Sequence, residues 1–355
     1  MIKNYIIHTF RKIFREKIAL FGKTLNELKE IVKLLNFPNF TAKQIANWLY
    51  KKNISSVDEM TNLSLKTREK LKEAYFIGTK NPIDKKTSVD GTLKYLFTTE
   101  NGKFIETAYI PETKRNTLCV SSQVGCKMAC EFCMTGKQGF QNNLSVGEIL
   151  NQLKSIDESE NVSNIVFMGM GEPLDNLDVV LKSLEILTSD WGFEMSPKRI
   201  TVSTIGILDA VKEFLQKSEC HLAISLHNPF DDERKSVMPI QKTQPIEKIL
   251  KEIKEWEFSR NRRVSFEYIM FKEFNDTKRH AKELAKILDG IKCRINLIRF
   301  HPVPAIDITG SNDETIFEFQ KQLKTKGIVT TVRASRGLDI DAACGLLSTK
   351  ALMEK

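Results

Sequence analysis

The sequence predicts an α/β protein: an open, partial parallel β/α barrel, preceded by a small N-terminal helical domain and a β-hairpin linker. Three observations carry that prediction. Up to about Tyr75 apolar residues recur at three- and four-residue spacing; between Thr87 and Tyr109 the period drops to two; after Pro111 short apolar strands alternate with amphipathic helices. Strands joined by helical crossovers pair in parallel with right-handed connections. A chain of 355 residues holds one barrel-sized domain and a smaller companion. Hydrophobic content of 41% and charged content of 28% are those of a globular protein. No apolar run approaches the roughly 20 residues that span a bilayer, which speaks against a membrane protein.

Residues 1–23 form a basic extension. Met1 to Arg15 carry no acid, yet they lack the Ser richness of a transit peptide and the small-residue cleavage site of a secretory signal. Residues 24–86 make the helical accessory domain. Leu25, Leu28, Ile31, Val32 and Leu35 share a helix face, Thr24 and Glu27 can form a capping box, and Pro38 ends the helix. Thr41 precedes a second apolar set, Ile45, Trp48 and Leu49, and Ser64 is an N-cap for a last helix that runs to about Tyr75. Lys43, Lys51 and Lys52 alternate with Trp48 and Tyr50, a pattern that suits RNA contact but suits aromatics in a local core, with solvated lysines, better.

Residues 87–111 are the hairpin linker. Two alternating runs, Lys94–Phe97 and Phe104–Tyr109, flank Asn101-Gly102, a strong turn signal. The barrel follows over 112–340, with strands expected at 117–122, 164–168, 199–203, 221–225, 264–270, 294–300 and 329–334, and helices such as 146–156, 177–187, 246–256 and 278–288. Six or seven strands fall short of eight, so the barrel is open, with its site at the strands' C-terminal ends. Residues 341–355 form a terminal segment.

A net charge of +9 favours a polyanionic partner such as RNA, although a merely Lys-rich protein has the same balance. Seven cysteines do not resemble a secreted disulfide scaffold; their clustering points to metal in a reducing compartment. Cys126, Cys130 and Cys133, at C-x3-C-x2-C spacing after the first barrel strand, can hold three irons of a cubane and leave the fourth iron open for a ligand. Structural zinc competes, but it usually takes four closed ligands, and no second cysteine pair stands at that spacing. Cys220 and Cys293 begin strands and read as free buried thiols. Cys119 and Cys344 are two further thiols that the cluster does not use.

The second strand ends in Met168-Gly169-Met170-Gly171-Glu172-Pro173. Its glycines would let a ligand approach the backbone, and Glu172 can accept from an amino group. Ser203-Thr204, Ser225-Leu226-His227 and Phe300-His301-Pro302 add polar groups at the same mouth.

This arrangement resembles the radical S-adenosylmethionine (SAM) enzymes. Cys126 to Gly136, Phe167 to Leu174, Ser225 to His227 and Asp339 to Gly345 are similar to the bacterial RNA adenine C2-methyltransferases of RlmN type, over Thr24 to Leu347. The resemblance implies a radical SAM core, a [4Fe-4S] cluster on Cys126, Cys130 and Cys133, and two SAM per turnover. Gly171 and Glu172 would meet the methionine end of SAM; Ser203, Ser225, Leu226, His227 and His301 would line the rest. It implies methylation at C2 of an adenine in 23S rRNA, at the peptidyl transferase centre, and of one in tRNA anticodon loops. In the implied reaction one SAM would methylate Cys344 by displacement. A second would supply a radical that takes hydrogen from the S-methyl group, and the carbon radical would add to C2. Glu106 would remove the C2 proton. Cys119 would then attack the Cys344 sulfur, releasing the RNA and leaving a disulfide to be reduced.

Also implied are a flavodoxin-like or ferredoxin-like electron donor, a disulfide reductant, and a cytoplasmic monomer without membrane contact. His301 departs from the Asn of other members, and Leu338 stands at a position that is often acidic. The rival within this chemistry is the related C8-methylating enzyme that confers antibiotic resistance. From another class comes a noncatalytic, metal-stapled RNA-binding protein.

Overall fold

A single ten-stranded sheet dominates the computed structural model, which describes residues 17–259, 262–302 and 306–349. Most of the basic extension and the last residues of the terminal segment lie outside the described residues. The chain divides into two compact units, one made of residues 1–81, 145–155 and 182–195, the other of 82–144, 156–181 and 196–355.

The smaller unit contains helices Leu25–Leu34, Thr41–Lys51 and Leu65–Ala74, and a parallel pair of two-residue strands, β1 (Ile18–Ala19) and β2 (Tyr75–Phe76). The capping box forms: Thr24 N–H donates to Glu27 Oε2 at 2.8 Å, and Glu27 N–H to Thr24 Oγ1 at 3.2 Å. Ser64 caps its helix by accepting from Thr67 N–H. Leu28, Val32, Ile45, Ala46 and Leu49 bury the shared faces. Tyr50 is buried and donates to the Lys23 carbonyl at 2.6 Å, while half-buried Trp48 donates to Asn62 Oδ1 at 2.6 Å. Both aromatics therefore serve this unit's own packing.

The larger unit carries the sheet. Strands β3 (Asp84–Thr87), β4 (Leu93–Thr98) and β5 (Phe104–Glu112) are antiparallel, and β5 pairs antiparallel with β6 (Arg115–Cys119). The hairpin thus continues the barrel sheet, with β3 as an extra strand that Pro82 and the charged run Asp84-Lys85-Lys86 hide from a search for alternating apolar residues. The Asn101-Gly102 turn closes as its residues predict, with Gly102 at φ 69°.

Beyond a short pair, β7 (Gln123–Val124) with β8 (Asn142–Asn143), the strands run parallel in chain order. They are β6, β9 (Asn164–Phe167), β10 (Ile200–Thr204), β11 (His221–Ser225), β12 (Val264–Met270), β13 (Cys293–Arg299) and β14 (Val329–Val332). Seven parallel strands in sequential order, with β14 at a free edge, make the open partial barrel. Side chains alternate across it. Val202, Leu222, Ile224, Phe266, Tyr268, Ile295 and Leu297 are buried on the face toward the helices, where Tyr268 stacks on Phe319 at 5.6 Å. The opposite parity faces inward and holds Cys119, Met168, Ser203, Ser225, Glu267, Asn296 and Arg333. Among the described residues no helix is long and apolar enough to cross a membrane.

Candidate functional site

The inner face of the larger unit holds two adjoining cavities. The smaller is lined by Cys126, Cys130 and Cys133, by Gly171, Glu172, Ser203, Ser225 and His227, and by Glu267. The larger, of about 520 Å³, is lined by Cys119, Arg333 and His301. Cys344 lines both. Of the expected SAM residues, five therefore share the cavity of the cysteine triplet. Leu226 is fully buried and contributes its carbonyl to the site's scaffold, while His301 faces the larger cavity, away from Glu172.

The glycines after β9 have a nearer cause than ligand approach. A Cβ on Gly169 would lie 2.7 Å from Ser121 Oγ and 2.8 Å from the Val120 carbonyl. A Cβ on Gly171, whose φ is +98°, would lie 2.5 Å from Gln123 Cβ and 2.8 Å from Gln123 N. The neighbouring strand exit, Val120–Gln123, demands both glycines. That close approach lets Glu172 N–H donate to Gln123 Oε1 at 2.8 Å. The Glu172 carboxylate turns inward and accepts from Leu174 N–H at 3.0 Å and Ile205 N–H at 2.9 Å. Burial pushes its carboxyl up to about 7.

The later strand ends are tied together by two residues that sequence patterning passed over. Arg234 is fully buried and donates to the carbonyls of Leu226, Ile205 and Ser225, each at 3.0 Å, and to Gln241. It lies in Asp231-Asp232-Glu233-Arg234-Lys235, a charged run that reads as a solvated helix face. Asn275 donates to the carbonyls of His227 and Ile269, both at 2.7 Å, and accepts from Phe271 N–H. His227 sits at φ 56°, packs edge-on against Phe132 with ring centroids 5.0 Å apart, and accepts through Nδ1 from Ile269 N–H. Burial lowers its imidazole to about 3, so it is neutral, with Nε2–H directed elsewhere.

The three cysteines are half-buried against Met128, Phe132, Val237 and Met238. Burial and mutual repulsion push the Cys126 thiol up to about 12 and Cys130 well above its ordinary range. Such thiols ionise only with a compensating cation. Among the described residues, no three His, Cys, Asp or Glu side chains converge as ligands of one ion. Zinc requires that convergence, with every sulfur about 2.3 Å from one metal. A cubane takes one thiolate at each of three separate irons, so three thiols around a shared apolar cavity fit it. Glu267 adds a further buried carboxylate: its Oε1 accepts from Ser265 and Asn296, while Oε2 is ion-paired with Arg333 Nε at 3.5 Å. A charged residue inside the apolar run of β12 is the signal that could have found it.

Glu106, on β5, is buried, not solvated. Its Oε1 pairs with Lys94 Nζ at 2.9 Å, and its Oε2 accepts from Ser348 N–H at 3.0 Å. Burial raises its carboxyl above the ordinary value, against the pull of Lys94. The Ser348 contact belongs to a terminal strap. Leu347 carbonyl accepts from Thr135 Oγ1, the Gly345 carbonyl accepts from Met134 N–H, and Gln138 Oε1 accepts from Thr349 N–H and Ser348 Oγ.

On its other side Cys344 is anchored by Asp339, which accepts from Ser88 Oγ at 2.5 Å and from Val89 N–H at 3.1 Å, and by Gly337 N–H on Asp90. Asp341 and Gly345, on either side of Cys344, take positive φ. Cys344 is exposed to the cavities although protein surrounds it, and Cys119 is buried beside Ala108 and Ala342. Burial pushes the Cys119 thiol up to about 12 and raises Cys344, while Arg333 acts oppositely on both. All seven cysteines are free; Cys220 is buried and Cys293 half-buried.

Comparison with known proteins matches these features. A family profile described as "Radical SAM superfamily" matches residues 120–285, and one described as "Ribosomal RNA large subunit methyltransferase N-terminal domain" matches residues 18–77. A relative from Phocaeicola vulgatus, named "Probable dual-specificity RNA methyltransferase RlmN", is 56% identical over 94% of this chain and 95% of its own. One of the same name from Bacteroides fragilis is 54% identical over 94% of this chain and 97% of its own. The crystal structure of a radical SAM methyltransferase from Sphaerobacter thermophilus superposes with a TM-score of 0.87 at 37% identity, covering 93% of this chain and 99% of that one. The chain belongs to the RlmN family of radical SAM RNA methyltransferases.

Proposed function

We propose that this enzyme methylates C2 of an adenine in 23S rRNA, at the peptidyl transferase centre, and in tRNA anticodon loops, with Cys344 as methyl carrier, Glu106 as base and Cys119 as the releasing thiol. One observation carries the reading: Cys344 lines both cavities, whereas the cysteine triplet lines one and Cys119 the other. A thiol so placed can take a methyl group on the triplet's side and present it to RNA and to Cys119 on the other.

As a family member the enzyme uses a [4Fe-4S] cluster and SAM. Bound at Cys126, Cys130 and Cys133, the cluster supplies the electron for reductive cleavage of SAM. Glu172, Ser203, Ser225, His227 and Glu267, whose Oε2 is ion-paired with Arg333, would hold SAM beside it. Arg333, whose charge acts on both thiols, favours the Cys344 thiolate needed for displacement. Burial raises the Glu106 carboxyl while Lys94 favours its charged form, a balance that suits a base. Its Oε2 accepts from Ser348 N–H, which orients the carboxylate and leaves lone pairs for the C2 proton. Cys119 lies in the cavity that Cys344 also lines, where it can attack the Cys344 sulfur and expel the methylated base.

The helical unit, which matches the ribosomal RNA methyltransferase N-terminal profile, adds RNA contact. The protein works as a monomer in the cytoplasm, with a flavodoxin-like or ferredoxin-like donor. Mass spectrometry of digested rRNA and tRNA from cells with and without the gene tests the reading. The expected result is loss of 2-methyladenosine from both RNAs. Loss of 8-methyladenosine instead, or no change, overturns it.

A further inference from the structure

The larger cavity contains more positive charge than the methyl transfer uses. It runs along the inner face from the strand starts to the strand ends, from Arg115 to Cys119 on β6, about 13 Å at 3.3 Å per residue. RNA, by the proposed chemistry, meets Cys344 at the strands' C-terminal ends. At the opposite end the lining is Arg115, Lys198, Arg263 and Arg294, at the starts of β6, β10, β12 and β13. Arg115 is paired with Glu112. Lys198, Arg263 and Arg294 make no ion pair among the described residues, Arg263 donating Nε–H only to His221 Nε2 at 3.3 Å, and Lys198 and Arg263 are exposed. Higher up, Arg336 Nε is buried without a hydrogen-bond acceptor among the described residues. The cavity therefore has a solvent-facing basic mouth at the strand starts, and Cys119 and Cys344 lie at its inner end.

We infer that this basic mouth binds a small anionic thiol, carrying a carboxylate or sulfonate, which reduces the Cys119–Cys344 disulfide from the side opposite the RNA. The inference rests on the proposed reaction, which leaves that disulfide after every turnover. A cavity of about 520 Å³ is of small-molecule size, wide enough for a thiol of a few residues and too small for a folded reductant. Cations without carboxylate partners, clustered at the mouth of a cleft, concentrate anions, and thiolates among them.

The chemistry balances. One thiolate attacks the sulfur of Cys344, the more exposed of the pair, forming a mixed disulfide and expelling the Cys119 thiolate, whose charge faces Arg333. A second thiolate attacks the mixed disulfide and frees Cys344. Two small thiols are oxidised to one small disulfide, two electrons enter the protein, and both cysteines regain protons.

The test uses full-length, cluster-loaded enzyme whose Cys119–Cys344 disulfide has been formed by a turnover with RNA. Its reduction is followed with 2-mercaptoethanesulfonate, 2-mercaptoethanol and cysteamine, each rate divided by its thiolate concentration and by its rate on a small linear disulfide. The expected order is anionic, neutral, cationic, with at least a tenfold span that collapses in high salt. K198E and R263E, both surface substitutions, should reverse the order, and single-turnover methyl transfer should be unaffected. Normalised rates that ignore thiol charge overturn the inference even without a variant. Variants that weaken RNA binding yet leave reduction unchanged also overturn it, since the cations would then serve phosphate. If no Cys119–Cys344 disulfide forms after turnover, the reaction sequence itself fails, a result separate from loss of charge selectivity.

Discussion

Replacing Lys94 by Met should disable Glu106 without touching it. Lys94 Nζ stands 2.9 Å from Glu106 Oε1, and both side chains are over nine-tenths buried. Coulomb attraction at that distance is about 1.4 kcal/mol at a dielectric of 80 and about 6 kcal/mol at 20. Each 1.36 kcal/mol is one pKa unit, so losing the partner raises the Glu106 carboxyl by at least about one unit and lowers its carboxylate-to-acid ratio at least about tenfold at any given pH. Burial already raises this carboxyl, and Lys94 is the largest force pulling it down. Single-turnover methylation by K94M, measured from pH 5 to 9, should therefore be slower than wild type on the acid side and recover as pH rises. Its acid limb should move up by at least about one pH unit, while K94R stays near wild type. General-base catalysis contributes about 10²–10⁴-fold, which bounds the loss. Formation of the Cys344 methyl thioether precedes proton removal and should be unchanged in K94M. An acid limb that does not move, with normal turnover, would refute the assignment of Glu106 as a base held ionised by Lys94.

Cys119→Ala should leave RNA covalently joined to Cys344, visible as a shifted tRNA band on a denaturing gel; full turnover by C119A would contradict the releasing role. Gly171→Ala places a methyl group 2.5 Å from Gln123 at a φ of +98°. We expect a loss of about 2 kcal/mol or more in denaturant unfolding, together with weaker SAM binding; an unchanged midpoint would show that the β9 exit has room. His227 is held near 3 in the fold against 6.5 when unfolded, so its contribution is fully present above pH 6.5 and lost as pH falls toward 3. Between pH 6.5 and 5 the unfolding free energy of wild type should fall about 1.1 kcal/mol per pH unit faster than that of His227→Gln, and parallel curves would refute it.

The seven parallel strands were legible within a residue or two at most ends, because each is a short apolar run bounded by turns and helices. The caps at Thr24 and Ser64 and the Asn101-Gly102 turn were legible for the same reason: their geometry is made by neighbours in the chain. Strand β3 was not, since its four residues are exposed and take their order from pairing with β4. Glu106 illustrates the harder limit. By pattern it is one residue of an alternating hairpin, and only Lys94 across the ladder and Ser348 from the far end of the chain make it a buried, paired carboxylate. Arg234 is the converse, a charge in a polar run that the fold withdraws from water to bind three carbonyls.

By itself the sequence determined the sites that depend on local spacing: three cysteines within eight residues, the Gly-Glu turn and the strand order of the barrel. Tertiary structure alone decided which distant groups share a space. It set Cys344 where the two cavities meet, put His301 in the one away from Glu172, and gathered unpaired cations at the strand starts. The physical reason is the range of the forces involved. Spacing and capping act within a turn or two of chain, whereas burial and hydrogen bonding join residues such as Lys94 and Asp341, or Cys119 and Cys344, that only the folded sheet brings together.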